Sequence, residues 1–83
     1  MTENALPAQL KWGDFVRVVK KLGYEACKPK GGSARNFKNC QLSPPIVTFH
    51  EPHGSDPVRK GTLREYIRKL GITKERFLEL LNE

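Results

Sequence analysis

The sequence predicts a small α+β domain made of a helix, a three-stranded antiparallel sheet, a second helix and a short C-terminal helix. Two helix-like apolar patterns flank a central region whose residues favour strands. With 83 residues, the chain fits a single domain with a modest core. Helices cover only one side of so small a sheet, so we expect its other face to be open.

The first helix is predicted from an apolar stripe. Its members recur at helical spacing and are Trp12, Phe15, Val16, Val19 and Leu22. Gly23 stands where a left-handed cap would end the helix. Residues 1–9 contain Pro7 and little periodicity, which predicts a flexible N-terminus followed by one domain over residues 10–83.

Three strands are predicted in the middle of the chain. Residues 24–29 and 34–39 pair as a hairpin around a turn at residues 30–33, which contains two glycines. Residues 46–49 are β-branched and aromatic, as in a buried strand. Three consecutive strands indicate an antiparallel meander, and residues 51–61 then form a connection to the next helix.

The second helix is predicted to begin with a capping box, in which Thr62 is the N-cap and Glu65 reaches back to it. Its apolar stripe consists of Leu63, Tyr66, Ile67 and Leu70. Thr73 is the predicted N-cap of the third helix. Ile72 and Phe77 occupy the positions of a hydrophobic staple for that helix.

The charge of the chain predicts a polyanionic partner. Lys and Arg number 15 against nine Asp and Glu, a net charge of +6 that favours nucleic acid over an anionic membrane. Residues 17–38 contain seven basic residues and one acidic residue, so that stretch carries the whole net charge. A face kept charged for solubility would mix signs, so the stretch predicts a binding surface.

Other function classes find little support. Cys27 and Cys40 lack the spacing of a zinc site, and His50 and His53 lie in a proline-containing segment rather than on a helix. We therefore predict no metal ion and no cofactor. The sequence has neither an apolar window long enough to span a membrane nor an apolar leader segment, which predicts a cytoplasmic protein.

Two segments are candidates for contact with phosphates. The glycine turn of the hairpin is surrounded by cations, and the segment Arg59-Lys60-Gly61-Thr62 lies at a helix N-terminus. The predicted RNA-binding residues are Lys28, Lys30, Gly32, Ser33, Arg35, Lys38, Lys60 and Thr62. A basic first helix with a cationic N-terminus on the second resembles the double-stranded-RNA-binding fold, which reads RNA by shape.

A more specific resemblance rests on short motifs. They are Gly32-Ser33-Ala34-Arg35-Asn36-Phe37, Pro52-His53 and Lys60-Gly61-Thr62-Leu63, followed by Ile67, Lys69, Leu70 and Gly71. In this order and spacing they resemble the HicA toxin family over roughly residues 12–72. The resemblance implies the toxin of a type II toxin–antitoxin system, with a double-stranded-RNA-binding-like fold. Such a toxin is a metal-independent endoribonuclease that cleaves mRNA and is inhibited by a HicB antitoxin.

The chain departs from the family at one position. In that family the residue after Gly-Ser is a histidine, whereas this chain has Ala34. Metal-free RNA cleavage needs one group to take the 2′-hydroxyl proton and another to protonate the leaving oxygen, and imidazole titrates in the range required. A methyl group does neither. Because side chains alternate along a strand, Ala34 lies on the other face of the sheet from core-facing Phe37. This is the open face, where the resemblance implies the catalytic residue.

Three explanations fit Ala34. A histidine-to-alanine substitution that allows a growth-arresting toxin to be produced is favoured, because the surrounding motif is intact. In the second, the natural protein lacks the histidine and acts by binding RNA alone. In the third, His50 or His53 takes over, which ranks last because nothing in the sequence fixes either ring near a phosphate.

Two other classes compete with an RNA-binding toxin. The last two helices have the spacing of a DNA-binding helix-turn-helix, but the final one carries two basic and three acidic residues, which is unfavourable against phosphates. A protein-interaction subunit would leave the basic stretch unused unless an acidic antitoxin binds it. From the architecture alone, we expect the antitoxin on the open face of the sheet.

Overall fold

The computed structural model describes residues 6–83, which form three helices and five strands. The helices are α1 (Trp12–Lys21), α2 (Lys60–Leu70) and α3 (Lys74–Leu81). The strands are β1 (Gln9–Leu10), β2 (Glu25–Ala26), β3 (Ala34–Lys38), β4 (Ile46–His50) and β5 (Val58–Arg59). The predicted α+β order of helix, three-stranded sheet and helix is confirmed, and it is that of a double-stranded-RNA-binding-like domain.

The main sheet has β3 at its centre, paired antiparallel with β2 on one side and β4 on the other. In the pairing of β3 with β4, Ala34 lies opposite His50. One residue beyond that pair, the Glu51 N–H donates to the Ser33 carbonyl at 2.8 Å. Ala34 and His50 are therefore a non-hydrogen-bonded pair, the kind whose side chains approach most closely.

The core lies between the helices and one face of this sheet. Phe15 of α1 packs edge-on against Phe49 of β4 at 4.9 Å between ring centroids, and Phe49 lies 4.7 Å from Tyr66 of α2. Phe77 of α3 completes the cluster 6.1 Å from Phe15. Because all three helices pack on the same side, the side chains at positions 34, 36 and 38 of β3 are left on the opposite face.

The predicted end of α1 at Gly23 and the predicted N-cap of α3 at Thr73 are confirmed. Gly23 and Gly71 have φ of 111° and 73°, the left-handed conformation that favours glycine after a helix. The Thr73 hydroxyl accepts a hydrogen bond from the Arg76 N–H at 3.0 Å, as an N-cap does.

The predicted capping box of the second helix is wrong. Helix α2 begins at Lys60, two residues before Thr62, and the side chain of its N-cap residue, Arg59, makes no capping hydrogen bond. The reason is tertiary: the chain enters the helix directly from β5, and the Lys60 N–H donates to the Ala8 carbonyl at 3.0 Å. A neighbouring strand segment thus supplies the acceptor that a capping side chain would have provided.

The N-terminal segment takes part in the fold from Leu6 onward. The predicted flexible segment covers residues 1–9, of which residues 1–5 lie outside the described part of the chain. Leu6 is buried, and β1 pairs antiparallel with β5. Strand β5 lies inside residues 51–61, which were predicted as a connection. Within residues 6–83, no helix is long and apolar enough to cross a bilayer.

Candidate nucleic-acid interface

Three cross-strand pairs line the open face of the sheet. They are Ala34 with His50, Asn36 with Thr48, and Lys38 with Ile46. The central pair is joined by a hydrogen bond of 2.6 Å from the Thr48 hydroxyl to the Asn36 side-chain oxygen. The face is therefore polar at its centre, with an exposed cation beside an exposed isoleucine at one end and an imidazole beside a methyl group at the other.

The His50 end of this face is held in place by three contacts. The Ser33 hydroxyl lies 3.2 Å from Nδ1 of the His50 ring. The Tyr66 hydroxyl accepts from the His50 N–H at 3.1 Å and donates to the His50 carbonyl at 2.9 Å. The His50 ring therefore has a hydrogen-bond partner in Ser33, whereas His53 lies exposed in the connection after β4.

The hairpin turn depends on two glycines and one arginine. Gly31 and Gly32 have φ of 109° and 67°, backbone angles that residues other than glycine rarely adopt. The Arg35 guanidinium donates to the Gly32 and Ala34 carbonyls at 2.8 and 3.0 Å, and its Nε donates to Glu51 at 2.9 Å. Arg35 is also a predicted RNA-binding residue, and in the structure its Nε and one of its two terminal nitrogens contact Glu51 and the turn.

A groove of about 380 Å³ separates this turn from the connection after β4. Its lining includes the predicted residues Gly32, Ser33 and Arg35, and also His53 and Gly54, which were not among the predicted RNA-binding residues. The order of residues gave no signal for this juxtaposition, because it depends on the β3–β4 register. Among residues 6–83, no three His, Cys, Asp or Glu side chains are grouped as they would be to hold a metal ion.

The hairpin lysines face solvent. Lys28, Lys30 and Lys38 are exposed, and within residues 6–83 none of them has a carboxylate within ion-pair distance. Ala34 is the first residue of β3 and Lys38 is the last, so the two residues lie at different ends of the strand. These three predicted residues therefore remain available to a polyanion, spread over the hairpin rather than gathered in one pocket.

Two of the three α1 cations of the same basic stretch, Arg17 and Lys21, are engaged by the protein instead. The Lys21 ammonium donates to the Leu80 carbonyl at 2.9 Å, at the C-terminal end of α3. Arg17 pairs with Asp14 at 2.8 Å and also reaches the Leu81 carbonyl at 3.5 Å. Unpaired carbonyls at a helix C-terminus favour cations, so these two side chains stabilise the contact between α1 and α3.

The remaining predicted residues lie apart from the hairpin groove. Lys60 lines a second groove with Arg64 and Lys74, over an apolar floor that includes Ile67. Thr62 is exposed on the first turn of α2. The structure thus brings the hairpin residues together but does not place Lys60 and Thr62 in the same groove.

Fold and site together define a small α+β domain with a double-stranded-RNA-binding-like architecture, one open sheet face and a hairpin with exposed cations beside it. A family model described as the HicA toxin of bacterial toxin–antitoxin matches residues 12–72, and the chain belongs to this family. It is therefore a toxin of the toxin–antitoxin class, and membership implies an antitoxin partner. No curated protein and no solved structure matches the chain.

Proposed function

We propose that the chain binds mRNA across the open face and hairpin, and that the metal-independent cleavage reaction of its family belongs to the Ala34 end of that face. The observation that carries the proposal is the position of Ala34. It lies half-buried at the start of β3, outside the helix-covered face, directly opposite the imidazole of His50. A proton-transfer group at this position would meet a phosphodiester bound on the open face.

Because the side chain of Ala34 is a methyl group, which cannot transfer a proton, we propose that this form of the toxin is inactive in RNA cleavage. General acid–base catalysis by a positioned side chain contributes roughly 10²- to 10⁴-fold to a rate. A chain without the imidazole at position 34 keeps its cations and its sheet face, so RNA binding remains while cleavage falls by that factor.

The hairpin supplies the binding part of the proposal. Lys28, Lys30 and Lys38 are exposed and unpaired within the described chain, while the backbone at Gly32 and Ser33 is open to the groove. Arg35 holds this turn in shape. Lys60 and Thr62 would extend the contact toward the N-terminus of α2, where backbone N–H groups favour an anion.

The test compares cleavage of an mRNA fragment by the Ala34 chain, Ala34→His and Ala34→Gln, in buffer with a metal chelator. We expect similar RNA affinities for all three and cleavage at least about 10²-fold faster for Ala34→His, because only imidazole exchanges a proton near neutral pH. The glutamine variant controls for the size and polarity of the new side chain. Equal cleavage by the Ala34 and Ala34→His chains would contradict the silencing, and no cleavage by any of them would contradict the catalytic assignment.

We further propose that the antitoxin is of the HicB type and covers the open face. Ile46 is 61% exposed on that face beside Lys38, which suits an acidic partner with an apolar anchor. In the same assay, added antitoxin should stop cleavage by Ala34→His and release the RNA. Continued RNA binding in the presence of saturating antitoxin would place the antitoxin elsewhere.

The helix-turn-helix alternative gains no specific support. The exposed Arg76 of α3 pairs with Glu79 at 3.2 Å, so one of the two cations on that helix is neutralised. The C-terminal end of α3 is packed against α1 through Lys21. A recognition helix needs a cationic surface that enters a groove of DNA, and α3 does not offer one.

A further inference from the structure

We propose that His50 is a second proton-transfer residue of the open-face site, acting with an imidazole at position 34 on one RNA phosphodiester. The inference rests on the proposed function, since it concerns the same reaction. It draws on three separate observations: the register of β3 and β4, the contact to the ring, and the contacts to the His50 backbone.

The register brings positions 34 and 50 together. Side chains of a non-hydrogen-bonded antiparallel pair have Cβ atoms about 4.5 to 5.5 Å apart and point to the same face of the sheet. An imidazole built at position 34 would therefore stand beside the His50 ring on the open face. Two rings at this spacing can both reach the atoms of a single phosphodiester.

The His50 ring is oriented although it is exposed. With Nδ1 3.2 Å from the Ser33 hydroxyl, the other ring nitrogen, Nε2, is left for a substrate. Ser33 belongs to the same Gly-Ser motif that precedes position 34, so one short segment both positions the first group and orients the second.

The backbone of His50 is also fixed. Both of its main-chain polar groups are bonded to the Tyr66 hydroxyl, which connects the end of β4 to α2. A solvated histidine at a strand end needs no such support. Of the charged neighbours, Glu51 pairs with Arg35, whereas Lys69 donates to the neutral Thr48 carbonyl and keeps its positive charge.

The reaction balances with these two groups alone. The neutral ring takes the proton of the 2′-hydroxyl, and the 2′-oxygen forms a bond to phosphorus. The bond from phosphorus to the 5′-oxygen breaks, and the protonated second ring gives its proton to that oxygen. A 2′,3′-cyclic phosphate and a free 5′-hydroxyl result, and no metal or redox partner takes part.

The first test compares Ala34→His with Ala34→His/His50→Ala. We expect the double variant to cleave about 10²-fold more slowly and to lose one limb of a bell-shaped pH dependence, because one of two titrating groups is gone. Free imidazole in the buffer should restore part of the cleavage, which the loss of a merely structural side chain would not allow. Cleavage within threefold of Ala34→His, with an unchanged pH profile, would overturn the inference.

The second test does not depend on cleavage. The His50 ring resonances of the unmodified Ala34 chain are followed by NMR while a short mixed-sequence 2′-O-methyl RNA that cannot be cut is added to saturation. A phosphate beside the ring changes the surroundings of the ring, so these resonances should shift as RNA binds. Resonances that do not move when RNA is bound would overturn the inference even if Ala34→His proves active, and a clear shift would support contact between the ring and the phosphate even if Ala34→His proves inactive.

Discussion

The two halves of the basic stretch, α1 and the hairpin, both carry several cations but have different surroundings. On α1, Arg17 and Lys21 are one helical turn apart and point at the C-terminal carbonyls of α3. On the hairpin, Lys28 and Lys30 extend into solvent without an ion-pair partner among residues 6–83. Clustering of charge along the sequence therefore does not imply clustering on one binding surface. The first half stabilises the fold, and the second half remains for a ligand.

The strongest test of this difference removes charge from the hairpin. Lys28→Gln/Lys30→Gln should weaken RNA binding roughly tenfold at low salt. It should also reduce the slope of log affinity against log salt by about 1.4, because fewer counterions are released from the RNA when two lysines no longer bind its phosphates. The matched control is Lys11→Gln/Lys20→Gln, which removes the same charge from exposed positions at the two ends of α1. Equal losses in the two double variants would show that net charge, rather than the hairpin, attracts RNA.

A medium effect is expected on the α1 side, in stability rather than in binding. Lys21→Met should lower the free energy of unfolding by about 1 kcal/mol, since the α3 carbonyls lose a charged donor at a partly buried site. RNA affinity should change less than twofold. Urea unfolding and RNA titration of the same preparation measure both quantities. A large loss of RNA affinity without loss of stability would reverse the assignment of the two halves.

The smallest effect is expected at Lys60, outside the hairpin groove. Lys60→Ala should weaken RNA binding about twofold to threefold, as expected when a single phosphate contact is lost. The fold should be unaffected, because the backbone N–H of residue 60 still donates to the Ala8 carbonyl. Filter binding and thermal unfolding provide the two measurements. Unchanged affinity would remove this lysine from the site.

The sequence predicts the helices and the open face well, because these depend on local pattern. The apolar stripe from Trp12 to Leu22 defines α1, and alternation along β3 separates Ala34 from Phe37. The short strands β1 and β5 escape prediction because two residues carry no periodicity and their pairing is tertiary. The start of α2 is misplaced for the same reason: its first N–H finds an acceptor in a distant segment.

The site is predicted less completely than the fold. The Gly-Ser motif and the hairpin cations are visible in the sequence, but the pairing of Ala34 with His50 depends on the register across the β3–β4 loop. The same register brings Glu51 to Arg35, a predicted RNA-binding residue that also holds the turn in shape. Alternating positions could have suggested that His50 shares the open face, yet its distance from Ala34 could not be read from the order of residues.

The contacts from α2 to β4 also affect how the toxin behaves in a concentrated solution. β4 is an outer strand, and an outer strand with free backbone groups is a template on which a second copy can add a strand. Here Lys69 donates to the Thr48 carbonyl, and Tyr66 bonds both the N–H and the carbonyl of His50. These side chains occupy three backbone groups of the edge, so the helix that buries the core also makes this edge a poorer template for a strand of a second copy.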